Sequence, residues 1–163
     1  MPPFPARNGP TNTWYTAHWD HIGVGPAVDG DSIYNGALDN ASGTAQLLSI
    51  AEAYAKQPEK PARSVVFLFV TAEEQGLWGS AYYVNNPVYP LAKTVANINI
   101  DGINPIGEAK DLTITGLGHG EMDAPATAVA KEQGRYVQSD PEPEKGYFYR
   151  SDHFNFAKGG VPA

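Results

Sequence analysis

The length, composition and charge of this chain exclude several classes of protein. Its 163 residues, 42% hydrophobic and 18% charged, are enough to bury a core and have the composition of one globular domain. The net charge of −7 leaves no basic stripe for a phosphate backbone, so we expect no nucleic acid partner. We expect no membrane span either, because no run of 18 apolar residues occurs. The absence of cysteine excludes disulfides, thiolate metal sites and cysteine nucleophiles.

The first half of the chain predicts two strands around one helix. Met1–Thr13 is rich in proline and has no apolar core segment, so it is not typical of a signal peptide. Thr13–Trp19 is rich in β-branched and aromatic residues, which predicts a strand, and a loop rich in Gly and Asp follows up to Leu38. Ala41–Gln57 has apolar residues at helical spacing. The continuous apolar run Ser64–Thr71 is typical of a strand buried on both faces.

The second half predicts two further strands, Thr94–Ile100 and Asp111–Thr115, and two helices, Gly120–Gln133 and Ser151–Lys158. Strands that alternate with helices predict an α/β fold, a three-layer sandwich around a mostly parallel sheet. We interpret residues 1–163 as a single domain. In such folds ligands bind beyond the carboxyl ends of the strands.

Ionisable side chains follow each predicted strand of the main sheet or begin the first helix. They are, in chain order, His18, Asp20, Asp39, Glu73, Glu74 and Asp101. Each has an ordinary explanation alone, for example Asp39 as a helix N-cap and Asp101 as a turn residue. Together they favour a cation, because several carboxylates at one edge repel each other unless they are neutralised. Imidazole and carboxylate without sulfur is a ligand set typical of hydrolytic zinc or manganese. Asp20 is placed to accept the second ring proton of His18.

Five ordered motifs carry a resemblance to a known family. They are AHWDHIG, NGALDNASG, TAEEQGLWGS, INIDGIN and FYRSDHFNFAKGGVPA, and they extend from about Trp14 to Ala163. These motifs resemble those of the co-catalytic dizinc metallopeptidases, which include bacterial leucyl aminopeptidases, glutamate carboxypeptidase and glutaminyl cyclase. The resemblance implies a zinc exopeptidase fold and a metal-dependent aminopeptidase with a peptide substrate.

The resemblance also implies a role for each residue. Asp39 is expected to bridge two zinc ions, His18 and Asp101 to complete the ligands of one, and Glu74 to bind the other. Glu73 is expected to be the general base and not a ligand.

Residues near the end of the chain are expected to lie around this centre. Asp152 is expected to be a hydrogen-bonding partner near the general base. Tyr147 and Tyr149 could line a substrate pocket together with His153, although packing explains the tyrosines equally well. In the family the histidine of the SDH motif is not a metal ligand.

The chain departs from the family pattern in two respects. The family's early strands are not found before His18, and the downstream H-T-x-x-D segment, whose histidine completes the second metal, is not found before Ala163. The sequence therefore predicts a fragment that is incomplete at both ends. Without that histidine the second ion has only Asp39 and Glu74, so we expect at most one metal to bind tightly. We expect His21, three residues after His18, to point away from the site. Relatives are usually exported, which implies a secreted or periplasmic parent.

Two alternatives to an aminopeptidase remain open from the sequence. One is a metal-binding fragment without turnover. The other, less favoured, is a dinucleotide-binding domain, because Gly116-Leu117-Gly118-His119-Gly120 follows a strand and precedes a helix. Its third glycine is one position short of G-x-G-x-x-G, so a glycine-rich turn is the simpler interpretation.

Overall fold

A computed structural model of the chain describes residues 11–163, so almost all of the proline-rich segment Met1–Thr13 lies outside it. The strands are β1 Asn12–His18, β2 Gly23–Val28, β3 Asp31–Tyr34, β4 Ser64–Val70, β5 Thr94–Asn99, β6 Asp111–Ile114 and β7 Tyr136–Ser139. The helices are α1 Gly43–Lys56, α2 Trp78–Asn85, α3 Asp123–Glu132 and α4 His153–Lys158. None of these helices is both long and apolar enough to cross a bilayer.

The main sheet has three parallel strands in the order β4-β1-β5. His18 at the end of β1 pairs with Val70 at the end of β4, and Thr16 pairs with Asn99 at the end of β5. Because the strands run in one direction and end together, the residues that leave them emerge at one edge of the sheet.

Alternate side chains of β1 face different helices, which produces three layers. The ring of Tyr15 lies 6.1 Å from that of Tyr54 in α1. Its neighbour Trp14 faces the other side, where its ring makes edge contacts with Tyr83 of α2 at 5.2 Å and Phe156 of α4 at 5.5 Å. The predicted α/β sandwich around a mostly parallel sheet is therefore confirmed.

The core lies mainly on the Trp14 side of the sheet. Trp14, Phe156 and Val161 are buried there, and partly buried apolar side chains from β4 and α2 surround them. This core holds α2 and α4 against the sheet, which fixes the loop before α2 and the segment before α4 at the carboxyl edge.

Three parts of the sequence prediction are wrong or incomplete. Ser64–Val70 is not buried on both faces, since Val70 is its one buried residue and Phe69 is 37% exposed. Strand β6 belongs to a separate parallel pair with β7, a strand the sequence did not predict. The segment predicted as a loop contains the antiparallel hairpin β2–β3, and α2 was not predicted.

The glycine-rich turn after β6 does not favour a nucleotide site. Gly118 N–H donates to the carboxylate of Asp123, the first residue of α3, at 2.7 Å. This carboxylate occupies the position at the helix start where a phosphate would have to bind.

Candidate metal centre

The imidazole of His18 is fully buried and faces two carboxylates with one ring nitrogen. Its Nδ1 donates to the backbone carbonyl of Asp20 at 3.1 Å, so in the neutral ring the lone pair is on Nε2. Nε2 lies 3.1 Å from Oδ1 of Asp39 and 3.2 Å from Oδ1 of Asp101. We call His18, Asp39 and Asp101 cluster 1; their donor atoms lie within 4.8 Å of one another.

Hydrogen bonds and neighbouring charges together outweigh burial in setting the pKa values of His18 and Asp101. Burial alone would lower the pKa of His18, but the hydrogen bond to Asp101 and the charges of Asp101 and Glu73 raise it to about 9. Burial opposes the ionisation of Asp101, yet hydrogen bonds from His18 and Ser151 hold its pKa below the ordinary value. The cluster therefore favours an ionised Asp101 next to a positive charge.

The side chain of Asn40 holds cluster 1 together. Its amide donates to the carbonyl of Ile100 at 2.9 Å, and its oxygen accepts from Gly43 N at 3.0 Å and Gly102 N at 2.9 Å. It thereby joins the start of α1 to the loop after β5, and these segments carry Asp39 and Asp101. Asn40, and not Asp39, accepts the N–H of Gly43 at the start of α1, which leaves Asp39 facing His18.

Gly43 is required for this close approach. A Cβ at this position would lie closer to the Asn40 amide oxygen and to the Ile100 carbonyl than real contacts allow. Packing thus explains why the DNASG motif has glycine at this position, because α1 must begin directly against the loop after β5.

A relay of hydrogen bonds from the core ends on Asp101. Asn97 donates to Thr16 at 3.1 Å, and the Thr16 hydroxyl donates to Asn99 at 2.7 Å. Asn99 donates to Ser151 at 2.7 Å, and the Ser151 hydroxyl donates to Oδ2 of Asp101 at 2.5 Å. Sequence reasoning missed these partners, although Asn99 and Ser151 lie inside two of the quoted motifs.

A second group of donors lies beside the first and shares Asp39. We call His21, Asp39 and Glu74 cluster 2; one donor atom from each lies within 4.8 Å of the others. Nδ1 of His21 is 2.6 Å from Oε1 of Glu74. The expectation that His21 points away from the site is therefore wrong. The loop after β1 turns back toward the site, so that residues three apart both face it, which strand alternation alone does not predict.

Glu73 and Glu74 leave β4 together but have different surroundings. Among the described residues Glu74 belongs to a donor cluster, whereas Glu73 belongs to none. The backbone N–H of Glu73 donates to Oδ1 of Asp20 at 3.3 Å. Burial, aided by the negative charge of Asp101, raises the pKa of the Glu73 carboxyl to about 7.

Asp20 contacts His18 differently from the prediction. The backbone carbonyl, not the carboxylate, receives the Nδ1 proton, since the nearer carboxylate oxygen is 3.7 Å away. The carboxylate instead holds the backbone of Glu73, because the turn after β1 brings the main chain of Asp20 under the imidazole.

Asp152 is fully buried near the centre. Its Oδ1 accepts from Ser80 Oγ at 2.5 Å, and Ser80 in turn accepts from Asn155 at 2.8 Å. Its Oδ2 has no hydrogen-bond partner in the described structure. Burial raises the pKa of Asp152 to about 6, against the opposing hydrogen bond from Ser80. The charge of Asp152 also contributes to the raised pKa of Glu73.

The three residues expected to line a pocket are divided between two clefts. Tyr147 and His153 line a cleft that also includes Asp101, whereas Tyr149 lines a neighbouring cleft. His153 belongs to neither donor cluster within residues 11–163, and its ring packs edge-on against Phe148 at 5.1 Å. Burial lowers the pKa of His153, so this imidazole favours the neutral form.

The residues present fit a zinc centre. Two donors bound to one tetrahedral zinc at its usual bond lengths lie about 3.4 Å apart. The distances of 3.1 and 3.2 Å from the His18 nitrogen to its two carboxylates are close to this value. Each cluster offers an imidazole and two carboxylates, a borderline donor set that suits zinc.

The chain is similar in sequence and in fold to known metallopeptidases. It is 31% identical over 157 residues to "Probable leucine aminopeptidase 2" of Arthroderma benhamiae, covering 90% of this chain and 28% of that protein. Its fold resembles that of a zinc aminopeptidase from Bacillus subtilis, with a TM-score of 0.71 and 24% identity over 94% of this chain and 35% of that one. It also resembles a glutaminyl cyclase from Porphyromonas gingivalis, with a TM-score of 0.66 and 23% identity over 95% of this chain and 58% of that one.

The family match covers nearly the whole chain, although the chain is a small part of its curated relatives. It spans between 7% and 28% of the length of the curated relatives it matches. Residues 4–163 match the model described as Peptidase family M28. The match, the shared fold and the order of the motifs agree: the chain belongs to peptidase family M28.

Proposed function

We propose that this chain carries the centre of a zinc-dependent aminopeptidase that uses two metal ions. The observation that carries the proposal is the presence of two donor clusters that share one carboxylate, Asp39. Two-metal hydrolases place their ions about 3.5–4 Å apart, a separation that a carboxylate bound to both ions can span. The activity named for the Arthroderma relative agrees with this assignment.

Four residues of the two clusters have a proposed role in holding zinc. His18 and Asp101 would bind one ion, Glu74 the other, and Asp39 both. Bound zinc would polarise the scissile carbonyl and lower the pKa of an attacking water. The hydrogen bond from His18 to the Asp20 carbonyl would fix the orientation of the ring, and Ser151 would orient the carboxylate of Asp101.

Glu73 is the proposed general base. It lies next to Glu74 but outside both clusters, so its carboxylate remains free to accept a proton. It would take the proton of the attacking water and later donate it to the leaving amine. The contact between its backbone N–H and Asp20 would hold it in place.

The proposed substrate is a peptide with a free N-terminus. The side chain of Asp39 is 54% exposed, so an approaching ammonium group can reach a carboxylate of the centre. The cleft that includes Asp101, Tyr147 and His153 adjoins this point and would receive the rest of the peptide. An N-acetylated substrate lacks the charge and should not be cleaved.

Hydrolysis of an aminoacyl anilide by the zinc-loaded chain tests the proposal. Removing a general base lowers the rate by about 10² to 10⁴, so Glu73→Gln should lose turnover by this factor and retain the zinc content of the wild type. The matched control is Glu59→Gln, an exposed glutamate remote from the strand exits, which should leave both unchanged. Loss of zinc in Glu73→Gln, or undiminished hydrolysis, contradicts the role of Glu73. Zinc binding without any hydrolysis by the wild type supports the alternative of a metal-binding fragment without turnover.

A further inference from the structure

We propose that His21 is a ligand of the second zinc ion and completes cluster 2 through its Nδ1. The inference rests on the proposed two-ion centre and deepens it. Nδ1 lies 2.6 Å from Oε1 of Glu74, and one donor atom from each of His21, Asp39 and Glu74 lies within 4.8 Å of the others. Without His21 this cluster would have two carboxylates and no imidazole.

The surrounding chain holds the ring of His21 at this place. Gly36, in a left-handed conformation with φ 65°, lies against the ring; a Cβ there would be 2.8 Å from the His21 Cβ and 2.9 Å from its Cγ. The same added Cβ would be 3.0 Å from the backbone oxygen of Asp39. The ring of Tyr34, from the hairpin β2–β3, is 6.5 Å away. The segment that carries Asp39 therefore packs directly on His21, which limits where the imidazole can go.

The addition of His21 makes the two clusters chemically equal. Each then has one imidazole and two carboxylates, with Asp39 common to both, so the described residues alone offer each ion three protein ligands. A neutral imidazole adds a donor without adding negative charge to a site that already has several carboxylates.

The distances allow an ion to enter. Two donors on a tetrahedral zinc lie about 3.4 Å apart, so the 2.6 Å contact of His21 with Glu74 must open by less than 1 Å. Both side chains are partly exposed, 22% for His21 and 18% for Glu74, which leaves room for this movement. Binding at Nδ1 also requires the ring proton to lie on Nε2, the nitrogen that makes no contact with Glu74.

A purely structural role for His21 is the competing interpretation. In that case its Nδ1–H only orients the Glu74 carboxylate, and replacing it by another hydrogen-bond donor would leave zinc binding almost unchanged. The two interpretations therefore differ in stoichiometry and not only in activity.

Titration of zinc into the metal-free chain, with a competing chromophoric chelator as the indicator, measures this stoichiometry. The wild type should bind two zinc ions tightly. His21→Gln, which keeps a side-chain donor, should bind one tightly and the other at least about 100-fold more weakly, more than the 10–100-fold usual for a residue that only supports a ligand. The control His119→Gln, which changes a histidine outside both clusters, should bind two.

Two tight ions in both the wild type and His21→Gln overturn the role of His21 and leave the proposed function intact. A single tight ion in the wild type also overturns it. No bound zinc in the wild type contradicts the proposed function itself.

A second variant tests direct ligation and covers the case in which His21→Gln does not fold. The chain has no cysteine, so His21→Cys introduces a single thiolate. With cobalt(II) in place of zinc, a thiolate on the metal gives a near-ultraviolet charge-transfer band, which the wild type and a Ser49→Cys control on the exposed face of α1 should lack. The band in His21→Cys supports the inference. Two cobalt ions bound without the band show that the position does not reach the metal.

Discussion

Replacing Asn40 by alanine should destabilise the chain more than any exposed substitution. The change removes three hydrogen bonds of a fully buried side chain and takes the Asn40 partner away from Gly102 N–H and from the Ile100 carbonyl, whereas Gly43 N–H keeps the backbone carbonyl of residue 40. Each such hydrogen bond contributes about 0.5–1.5 kcal/mol, and each stranded buried group costs about 1–3 kcal/mol. Because these ranges describe overlapping effects, we expect a loss of about 3–4 kcal/mol, a large part of the 5–15 kcal/mol that stabilises a typical domain.

Urea unfolding followed by far-ultraviolet circular dichroism measures this loss. With an m-value of about 2 kcal/mol/M, the midpoint should fall by about 1.5–2 M. The control Asn85→Ala removes a hydrogen bond from an exposed asparagine to Ala81 in α2 and should change the free energy of unfolding by less than about 0.5 kcal/mol.

The refuting result is an Asn40→Ala midpoint equal to that of Asn85→Ala. It would show that the loop after β5 and the start of α1 are held together by something other than this amide. If the reasoning is correct, Asn40→Ala should also weaken zinc binding, because Asp39 and Asp101 lose the residue that sets their separation.

Two further predictions concern the core and the pH dependence of stability. Trp14→Ala should cost about 3–5 kcal/mol in urea unfolding, because the indole is fully buried against Phe156; the exposed Trp19→Ala is its control, and equal losses in the two variants would contradict the assigned core. Burial raises the pKa of the Tyr15 hydroxyl above its ordinary value, so the folded chain holds this proton more strongly than the unfolded chain, and this contribution to stability is present below about pH 10 and lost above it. The free energy of unfolding of Tyr15→Phe should therefore fall less than that of the wild type between neutral pH and the alkaline range. The control Tyr136→Phe, at an exposed tyrosine, should follow the wild type. If the plots of unfolding free energy against pH coincide for Tyr15→Phe and the wild type, the buried hydroxyl does not titrate as stated.

The sequence predicted the main strands and the residues at their ends. Apolar and β-branched runs mark β1, β4 and β5 to within one residue at each end, because a strand in the middle of a fold must bury side chains whatever its partners are. Since parallel strands end at one edge, the positions of His18, Glu74 and Asp101 followed from the chain order alone. The structure brings these residues together with Asp39 in two adjacent clusters.

The local sequence did not reveal the layout of the loops. Helix α2 begins after Leu77, a residue with φ 62°, and β7 is only four residues long, so neither has a pattern long enough to predict. The burial of β4 was overestimated because an apolar run shows what a strand can bury, not whether a neighbour covers it.

The chain itself determined which residue types stand at the strand exits, and the tertiary structure decided which of their atoms meet. His21 enters a cluster because Gly36, fifteen positions away, packs on its ring. Asp39 can face His18 because the neighbouring Asn40 makes the hydrogen bond to Ile100, sixty positions away from Asn40. Asp20 supports His18 with its backbone and Glu73 with its side chain for a similar reason. Such contacts depend on the path of loops between distant residues, whereas periodicity and composition report only on neighbours along the chain.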